Sequence, residues 1–180
     1  MAEKKYTPMM MHYIKLKEEN PDSILFYRLG DFYEMFFEDA KIASQELNLV
    51  LTGRSAGVEE KVPMCGIPYH AANSYIQRLV KKGYKVAICE QLSDPSQSKG
   101  LVDRGIIKII TPGTYMDSAL DEKQTNYMAS VSVSSFEIVV VYCELSTGEL
   151  KYQTLERSLV SLQKALMEQH VSEVVLPMSF

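Results

Sequence analysis

The chain has 180 residues, of which 46% are hydrophobic and 23% charged, and its formal net charge at pH 7 is −4. This apolar fraction is too high for a disordered chain, and no segment approaches the roughly 20 uninterrupted apolar residues of a membrane-spanning helix. The composition therefore predicts a soluble globular protein with no membrane partner, built as one full domain or two small ones.

The first part of the chain alternates helical and extended patterns. A helix is expected to begin at Pro8, a buried strand covers residues 24–29 and ends at Gly30, and a second helix covers about 38–47. Short strands and turns follow over 48–69, then the clearest helix of the chain, and then two more strands. The apolar positions of that helix recur at i, i+3, i+4, i+7 and i+8 and are Ala72, Tyr75, Ile76, Leu79 and Val80. This alternation predicts an α/β layer with a mixed β-sheet and flanking helices.

The last part of the chain predicts a second, smaller α/β unit. Strand-like segments cover 127–134, 136–143 and 149–153, and a last strand covers 171–176. Between them, a helix is expected to place four leucines on one face: Leu155, Leu159, Leu162 and Leu166. A Thr-Pro-Gly-Thr turn at 111–114 and a polar, acidic segment separate the two units. We therefore predict a domain over 1–115, a linker over 116–126 and a second domain over 127–180.

Charge is distributed unevenly between these two parts. Residues 1–115 hold 15 Lys and Arg against 14 Asp and Glu, whereas residues 116–180 hold 4 against 9. A polyanionic partner is therefore expected to meet the first part. Three widely spaced cysteines, Cys65, Cys89 and Cys143, favour reduced thiols in a cytoplasm over a disulfide framework, and we expect them to be small buried hydrophobes.

The sequence carries little that indicates catalysis. It has no G-x-x-x-x-G-K-[ST] motif for a nucleotide phosphate, and its three histidines are scattered without a zinc-binding spacing. Asp31 and Glu34 could hold magnesium for a nuclease, but no further carboxylate or lysine completes a pattern that would activate water. We therefore predict no catalytic, metal-binding or cofactor-binding residues in this chain.

The unusual local feature is a cluster of four aromatic residues within Gly30-Asp31-Phe32-Tyr33-Glu34-Met35-Phe36-Phe37. By composition alone, these rings would pack in the core. However, Phe32 and Glu34 are two residues apart, so an extended backbone places them on the same side. A flat ring beside a hydrogen-bonding acid can stack on an exposed base and bind its edge. Tyr33 points to the other face and is expected in the core.

Four segments together resemble the MutS family of DNA mismatch-repair proteins. They are LFYRLGDFYEMFFEDA, VPMCGIPYHAANSY, GYKVAICEQLSDP and IITPGT, and they occur in the order and at the spacing of that family's first domain. The resemblance continues into a segment similar to the connector domain, so it covers nearly the whole chain. It implies a fold like the MutS N-terminal domain, followed by a partial ribonuclease H-like α/β connector unit.

The resemblance implies a role for two residues of the aromatic cluster. In that family, the Phe of the F-Y-E triplet enters the minor groove as a wedge that stacks on a mispaired base, and the Glu binds a mispaired base. These positions are Phe32 and Glu34. The alternative for Glu34 is a solvated or helix-capping acid beside Glu38 and Asp39.

Two further residues are candidates for contacts with the DNA backbone. His70 resembles a backbone-contacting position of the family, although it could equally be an exposed residue at a helix start. Arg54 is the first candidate for a phosphate contact, because it follows a glycine in a loop from which a long side chain can reach out. Lys61, Arg78 and Lys82 are further candidates.

The rest of the machinery implied by the family is expected outside this chain. The resemblance implies mismatched double-stranded DNA as the partner of the first domain, MutL as a partner of the connector, and a homodimeric full-length protein in a bacterial cytoplasm, associated with the nucleoid. ATP and magnesium belong to an ATPase domain that this chain lacks, so the chain itself is expected to be a non-enzymatic fragment. Two rival functions stay open: a protein-interaction module that docks a partner through its aromatic cluster, and the nuclease.

Overall fold

The computed structural model describes residues 6–92, 103–116 and 125–178 of the chain. Its contacts divide the chain into two compact units, Met1–Ile110 and Thr111–Phe180. The division lies a few residues before the boundary that we predicted near 115, and residues 117–124 of the predicted linker lie outside the described residues. The Thr-Pro-Gly-Thr turn belongs to the second unit because its Thr111 hydroxyl and Gly113 N–H both donate to the Glu173 carboxylate.

The first unit is a six-stranded mixed sheet with helices packed against it, which confirms the predicted fold class. The strand order is β3-β4-β2-β1-β5-β6. Four of the five neighbouring strand pairs are antiparallel, and the central pair, β1 and β5, is parallel. The elements in chain order are α1 (Pro8–Glu19), β1 (Ser23–Leu29), β2 (Phe32–Phe36), α2 (Phe37–Leu47), β3 (Thr52–Arg54), β4 (Val62–Pro68), a short 3₁₀ helix (Tyr69–Ala71), α3 (Ala72–Val80), β5 (Lys85–Gln91) and β6 (Arg104–Ile110).

The sheet of the first unit is buried on both faces. On one face, Met10, Tyr13 and Leu16 of α1 pack in a cluster with Tyr27 of β1 and Phe36 of β2. Side chains alternate along a strand, so the buried residues between these positions point to the opposite face. That face includes Ile24, Phe26, Tyr33, Met35 and Cys65. We call the first the α1 face, because the side chains of α1 pack on it. We call the second the α2 face, because the Cys65 thiol contacts the Ala40 carbonyl of α2.

A buried carboxylate joins both helices to the central strand. Asp39 of α2 is almost fully buried and accepts hydrogen bonds from the Leu25 backbone N–H at 2.9 Å and from the Tyr13 hydroxyl at 3.1 Å. Its other oxygen pairs with Lys17 Nζ at 2.8 Å. The negative charge is therefore paired and hydrogen-bonded, as burial of a carboxylate requires. Burial, followed by the Asp39 charge, raises the pKa of Tyr13 well above its usual value.

The second unit is a four-stranded sheet with one helix. Its elements are β7 (Tyr127–Val133), β8 (Glu137–Glu144), β9 (Glu149–Glu156), α4 (Leu159–Glu168) and β10 (Val171–Val175). The strand order is β10-β7-β8-β9, and β10 lies parallel to β7 while the other pairs are antiparallel. Leu162 of α4 packs on Ala129, Val140 and their neighbours on one face of this sheet.

One predicted helix face in the second unit is wrong. Leu155 lies in β9, which pairs with β8 as far as Glu156. The helix α4 begins at Leu159, and the side chain of the preceding Ser158 caps it by accepting a hydrogen bond from the Ser161 N–H. Leu159 is consequently exposed, and the buried residues of α4 are Leu162 and Ala165. Leu155 lies four residues before Leu159, which is also the spacing of successive turns of a helix. The spacing of the leucines therefore could not show that Leu155 belongs to a strand.

Within the described residues, no helix is both long and apolar enough to cross a membrane.

Candidate nucleic-acid interface

The β1–β2 hairpin presents Phe32 at the surface. Leu29 pairs with Phe32 across a two-residue turn of Gly30 and Asp31, and Gly30 has a positive φ of 56°, which side-chain-bearing residues seldom adopt. The Phe32 ring is 49% exposed, whereas Tyr33 and Phe36 are buried. The aromatic cluster therefore divides: Phe32 is available for stacking, and Tyr33 lies in the core, as we predicted.

Glu34 lies on the same face of β2 as Phe32 and is bound by an arginine. Arg54 of β3 donates from Nη1 to the Glu34 carboxylate, and the two side chains are 36% and 15% exposed. On β4, the residue opposite Glu34 is Gly66, which leaves the carboxylate without a neighbouring side chain across the strand pair. The Glu34 charge is thus partly neutralised in this structure. The alternative that it caps α2 is not supported, since no side chain caps that helix.

The placement of Arg54 differs from our expectation. It was predicted to reach out from a loop, but it is the last residue of a strand, and its guanidinium is turned toward Glu34 and lies 5.9 Å from the Phe36 ring. The pairing with Glu34 spans 20 residues of sequence, so no local pattern could have indicated it.

His70 lies near the hairpin turn. It is an exposed residue of the 3₁₀ helix that directly follows β4, and Pro68 at the end of β4 is paired with Phe32. Its neighbour Tyr69 donates its backbone N–H to the Asp31 carbonyl at 2.9 Å. Phe32 and Glu34 lie on β2 and Arg54 lies on β3, while β4 between these two strands leads directly into the 3₁₀ helix that carries His70.

Two other candidate phosphate contacts are engaged elsewhere. Lys82 Nζ binds the Glu46 carboxylate at 2.6 Å, and Arg78 donates to the Glu46 carbonyl at 3.5 Å. The bond to Lys82 lowers the pKa of Glu46. Lys61 lies against Gly53 on the neighbouring strand. Of the four basic residues that we considered, Arg54 is the one bound to a residue of the aromatic segment.

Sequence reasoning missed the side chains that support the turn. Arg28 of β1 donates from Nε to the Gly30 carbonyl, lies 3.7 Å from the centre of the Tyr69 ring and pairs with Glu90 at 3.4 Å. The Tyr33 hydroxyl donates to the same Glu90 oxygen. Burial and this bond raise the pKa of Tyr33 to about 12. The available signal was a single charged residue inside an otherwise apolar strand, which in a buried element implies a specific partner.

No group of three or more His, Cys, Asp or Glu residues that could hold a metal ion exists within the three described ranges. The charges beside Phe32 are mixed, with Asp31 and Glu34 against Arg54. Basic surroundings would favour DNA and acidic or apolar surroundings would favour a protein partner, so these mixed charges favour neither partner.

Comparison with known proteins identifies the family to which this chain is similar. A sequence model described as MutS domain I matches residues 7–119. Among similar proteins, one from Clostridium botulinum (strain 657 / Type Ba4) is 65% identical over 144 residues, and one from Clostridium kluyveri is 63% identical over 147 residues. Both are named DNA mismatch repair protein MutS, and each match covers 79% of this chain. The chain spans only 16% and 17% of the length of these two relatives.

Proposed function

The chain belongs to the MutS domain I family, and on this basis we propose that its first unit recognises mispaired or unpaired bases in DNA during mismatch repair. The observation that carries the proposal is the half-exposed Phe32 ring on a two-residue turn, with Glu34 on the same side of the strand. Both residues stand where the family's F-Y-E triplet has its wedge and its base-binding acid.

Phe32 is proposed to act as a minor-groove wedge. Insertion of a ring between base pairs requires unstacking of a base step, at roughly a few kcal/mol, and the requirement is least where the pairing is already faulty. The protein then discriminates by how easily the duplex kinks at each step, which allows one site to serve many mispairs. Tyr33 and Phe36 of the same strand are buried, so the strand that carries the ring is anchored in the core.

Glu34 is proposed to bind the edge of a mispaired base, with Arg54 beside it as counter-ion. A lone carboxylate in the groove would be repelled by phosphates, and the Arg54 guanidinium offsets that charge. A guanidinium carries five N–H donors, so Arg54 can pair with Glu34 and still donate to a phosphate. His70 is proposed to donate a further hydrogen bond to the phosphate backbone of the DNA.

We propose that the chain is the N-terminal part of a longer MutS protein. In this reading the second unit is part of a connector domain that meets MutL, since this part of the chain is acidic and suits a protein partner better than DNA. Homodimerisation, ATP and magnesium binding, and ATP hydrolysis would then belong to other parts of that protein, which acts in the cytoplasm. The first unit itself recognises DNA and performs no catalysis.

The test is binding of a duplex with one G·T mispair or one unpaired T, against its matched duplex, by the full-length protein and its Phe32→Ala variant. Base–aromatic stacking contributes about 1–3 kcal/mol, so we expect the preference for the faulty duplex to fall by roughly 5- to 150-fold. Phe136→Ala is the matched control, because Phe136 is another exposed phenylalanine and lies in a turn of the second unit.

Two outcomes would contradict the proposal. If Phe32→Ala keeps the preference for the faulty duplex, Phe32 is not the wedge. If neither the parent protein nor the variant distinguishes the two duplexes, while a protein partner is lost on Phe32→Ala, the aromatic cluster is a protein-docking surface.

A further inference from the structure

We infer that Arg28 is a positioning residue that clamps the Gly30–Asp31 turn and so fixes the direction of the Phe32 ring; this inference rests on the proposed function. Arg28 is the one charged residue of β1. Its side chain is only 16% exposed, so it is withdrawn from solvent rather than held out toward a ligand.

The clamp consists of three contacts made by one guanidinium. The Nε–H donates to the Gly30 carbonyl, Cζ lies over the Tyr69 ring at 3.7 Å from its centre, and Nη1 pairs with Glu90 on β5 at 3.4 Å. A planar cation can stack on a ring and donate hydrogen bonds in its own plane at the same time, which an ammonium group cannot do.

Both carbonyls of the turn are thereby held. Arg28 donates a hydrogen bond to the Gly30 carbonyl, and the backbone N–H of Tyr69 donates to the Asp31 carbonyl at 2.9 Å. Arg28 also stacks on the Tyr69 ring, so the two holders of the turn support each other. Phe32 is the next residue after Asp31, and its backbone direction follows from the conformation of these two peptide groups.

The charge of Arg28 is balanced from the opposite side. Glu90 accepts from Arg28 and from the Tyr33 hydroxyl through the same oxygen. Burial and the bond to Glu90 raise the pKa of Tyr33 to about 12, so its hydroxyl remains a donor well above neutral pH. One Glu90 oxygen therefore binds both the Arg28 guanidinium and the Tyr33 hydroxyl.

Arg28 acts from the face of the sheet that is opposite to Phe32. It pairs across the sheet with Tyr33, which belongs to the α2 face, whereas Phe32 and Glu34 point to the α1 face. Arg28 can therefore influence a bound base through the turn without contacting it. If the turn is already ordered before DNA binds, no conformational entropy is lost in ordering it on binding. Because the ring is inserted at the faulty step, this difference in binding free energy favours the faulty duplex over the matched one.

The test compares Arg28→Met with Lys151→Met. Lys151 is the matched control because its charged group also lies over a tyrosine ring, with Nζ 4.0 Å from the centre of Tyr127, but it belongs to β9 of the second unit. The first measurement is backbone amide exchange of Tyr69 in the 180-residue chain. The second is the ratio of affinities for the G·T and matched duplexes in the full-length protein, alone and with Phe32→Ala.

We expect Arg28→Met to speed exchange of the Tyr69 amide and to lower the affinity ratio, each by roughly tenfold, the effect of losing one hydrogen bond to a charged group. Arg28→Lys should show a smaller loss, and Lys151→Met should change neither quantity. In the Phe32→Ala background, Arg28→Met should lower the ratio no further, because the clamp acts through that ring. If Arg28→Met does not fold, Tyr69→Leu removes the stacked ring while keeping the amide.

Three results would overturn the inference: an unchanged affinity ratio, an unchanged Tyr69 exchange rate, or a loss that persists in full without the Phe32 ring. The last would mean that Arg28 contacts DNA or stabilises the unit in general. If Phe32→Ala still prefers the G·T duplex, the proposed wedge is refuted. The Tyr69 exchange rate of Arg28→Met then still shows whether Arg28 holds the turn.

Discussion

The contrast between two phenylalanines on the same face of β2 gives a sharp test of the wedge. Phe36 is fully buried, and its ring meets that of Tyr13 edge-on at a centroid distance of 5.0 Å. Phe32, four residues earlier, has half of its surface in solvent. Replacement of each by alanine removes the same atoms from opposite environments, so the difference in unfolding free energy measures what each ring does for the fold.

The expected magnitudes follow from burial. Complete burial of a Phe side chain contributes about 1.5–3 kcal/mol, and the cavity left by Phe→Ala in a core raises the total to about 3–5 kcal/mol. We therefore expect Phe36→Ala to destabilise the first unit by about 4 kcal/mol. For Phe32→Ala, half of the transfer contribution is lost and solvent fills the space, so we expect about 1 kcal/mol.

The assay is equilibrium unfolding in urea, followed through amide NMR signals of β1 and β5. These strands belong to the first unit, so unfolding of the second unit does not enter the measurement. If Phe32→Ala destabilises the unit as much as Phe36→Ala, Phe32 is a core residue and the reasoning is refuted. If Phe36→Ala changes stability by less than about 1 kcal/mol, the argument from burial fails.

Three further predictions concern charge and protonation. Asp39→Ala should destabilise the first unit by about 3 kcal/mol in urea unfolding, because it leaves the buried Leu25 N–H without its acceptor and removes the charge that pairs with Lys17. Glu38→Ala, at the exposed neighbouring position, should change stability by less than about 0.5 kcal/mol. Arg54→Met should lower the slope of log affinity for DNA against log salt concentration by about 0.9, the value for one phosphate contact. Burial raises the pKa of Cys65 and of Cys89 to about 12, so both thiols should resist alkylation in the folded chain. Because the unfolded thiols lose their protons first, near pH 8.5, stability should fall as the pH rises from about 8.5 toward 12, as urea midpoints at pH 7.5 and 10 would measure.

Each of these predictions has a contrary result. Equal effects of the substitutions at positions 38 and 39 would mean that the buried carboxylate is dispensable. An unchanged salt slope would mean that Arg54 serves Glu34 alone and contacts no phosphate. A Cys65→Ala/Cys89→Ala variant with the same loss of stability at high pH would assign that loss to other groups.

Local sequence patterns predicted the elements whose burial depends on near neighbours. The apolar spacing of α3 correctly indicated that Ile76, Leu79 and Val80 face the core, because one turn of helix brings these positions together. The run over 24–29 likewise predicted a buried strand, which the structure places at the centre of the sheet. In both cases the residues that determine the element are close to one another in the sequence, so a local pattern is enough to predict it.

Partners that are distant in the chain could not be predicted in this way. Asp39 was interpreted as an acid at a helix start, and this was also the alternative for Glu34. In the structure Asp39 is buried against Tyr13 and Lys17, and Glu34 is bound by Arg54. A charged residue in a sequence shows that a partner is needed if the residue is buried, but not which strand supplies it. The same holds for Arg28, whose partner Glu90 lies 62 residues away.

The two-residue length of the hairpin turn restricts which insertions and deletions this surface could tolerate. Leu29 and Phe32 are paired directly across Gly30 and Asp31, and side chains alternate strictly along β2. One residue added or removed at this turn would slip the register and exchange the two sides of the strand, which turns the Tyr33 ring outward and the Phe32 ring into the core. Variation in related chains should therefore appear at this turn as substitutions of constant length, while loops elsewhere in the unit are free to change in length.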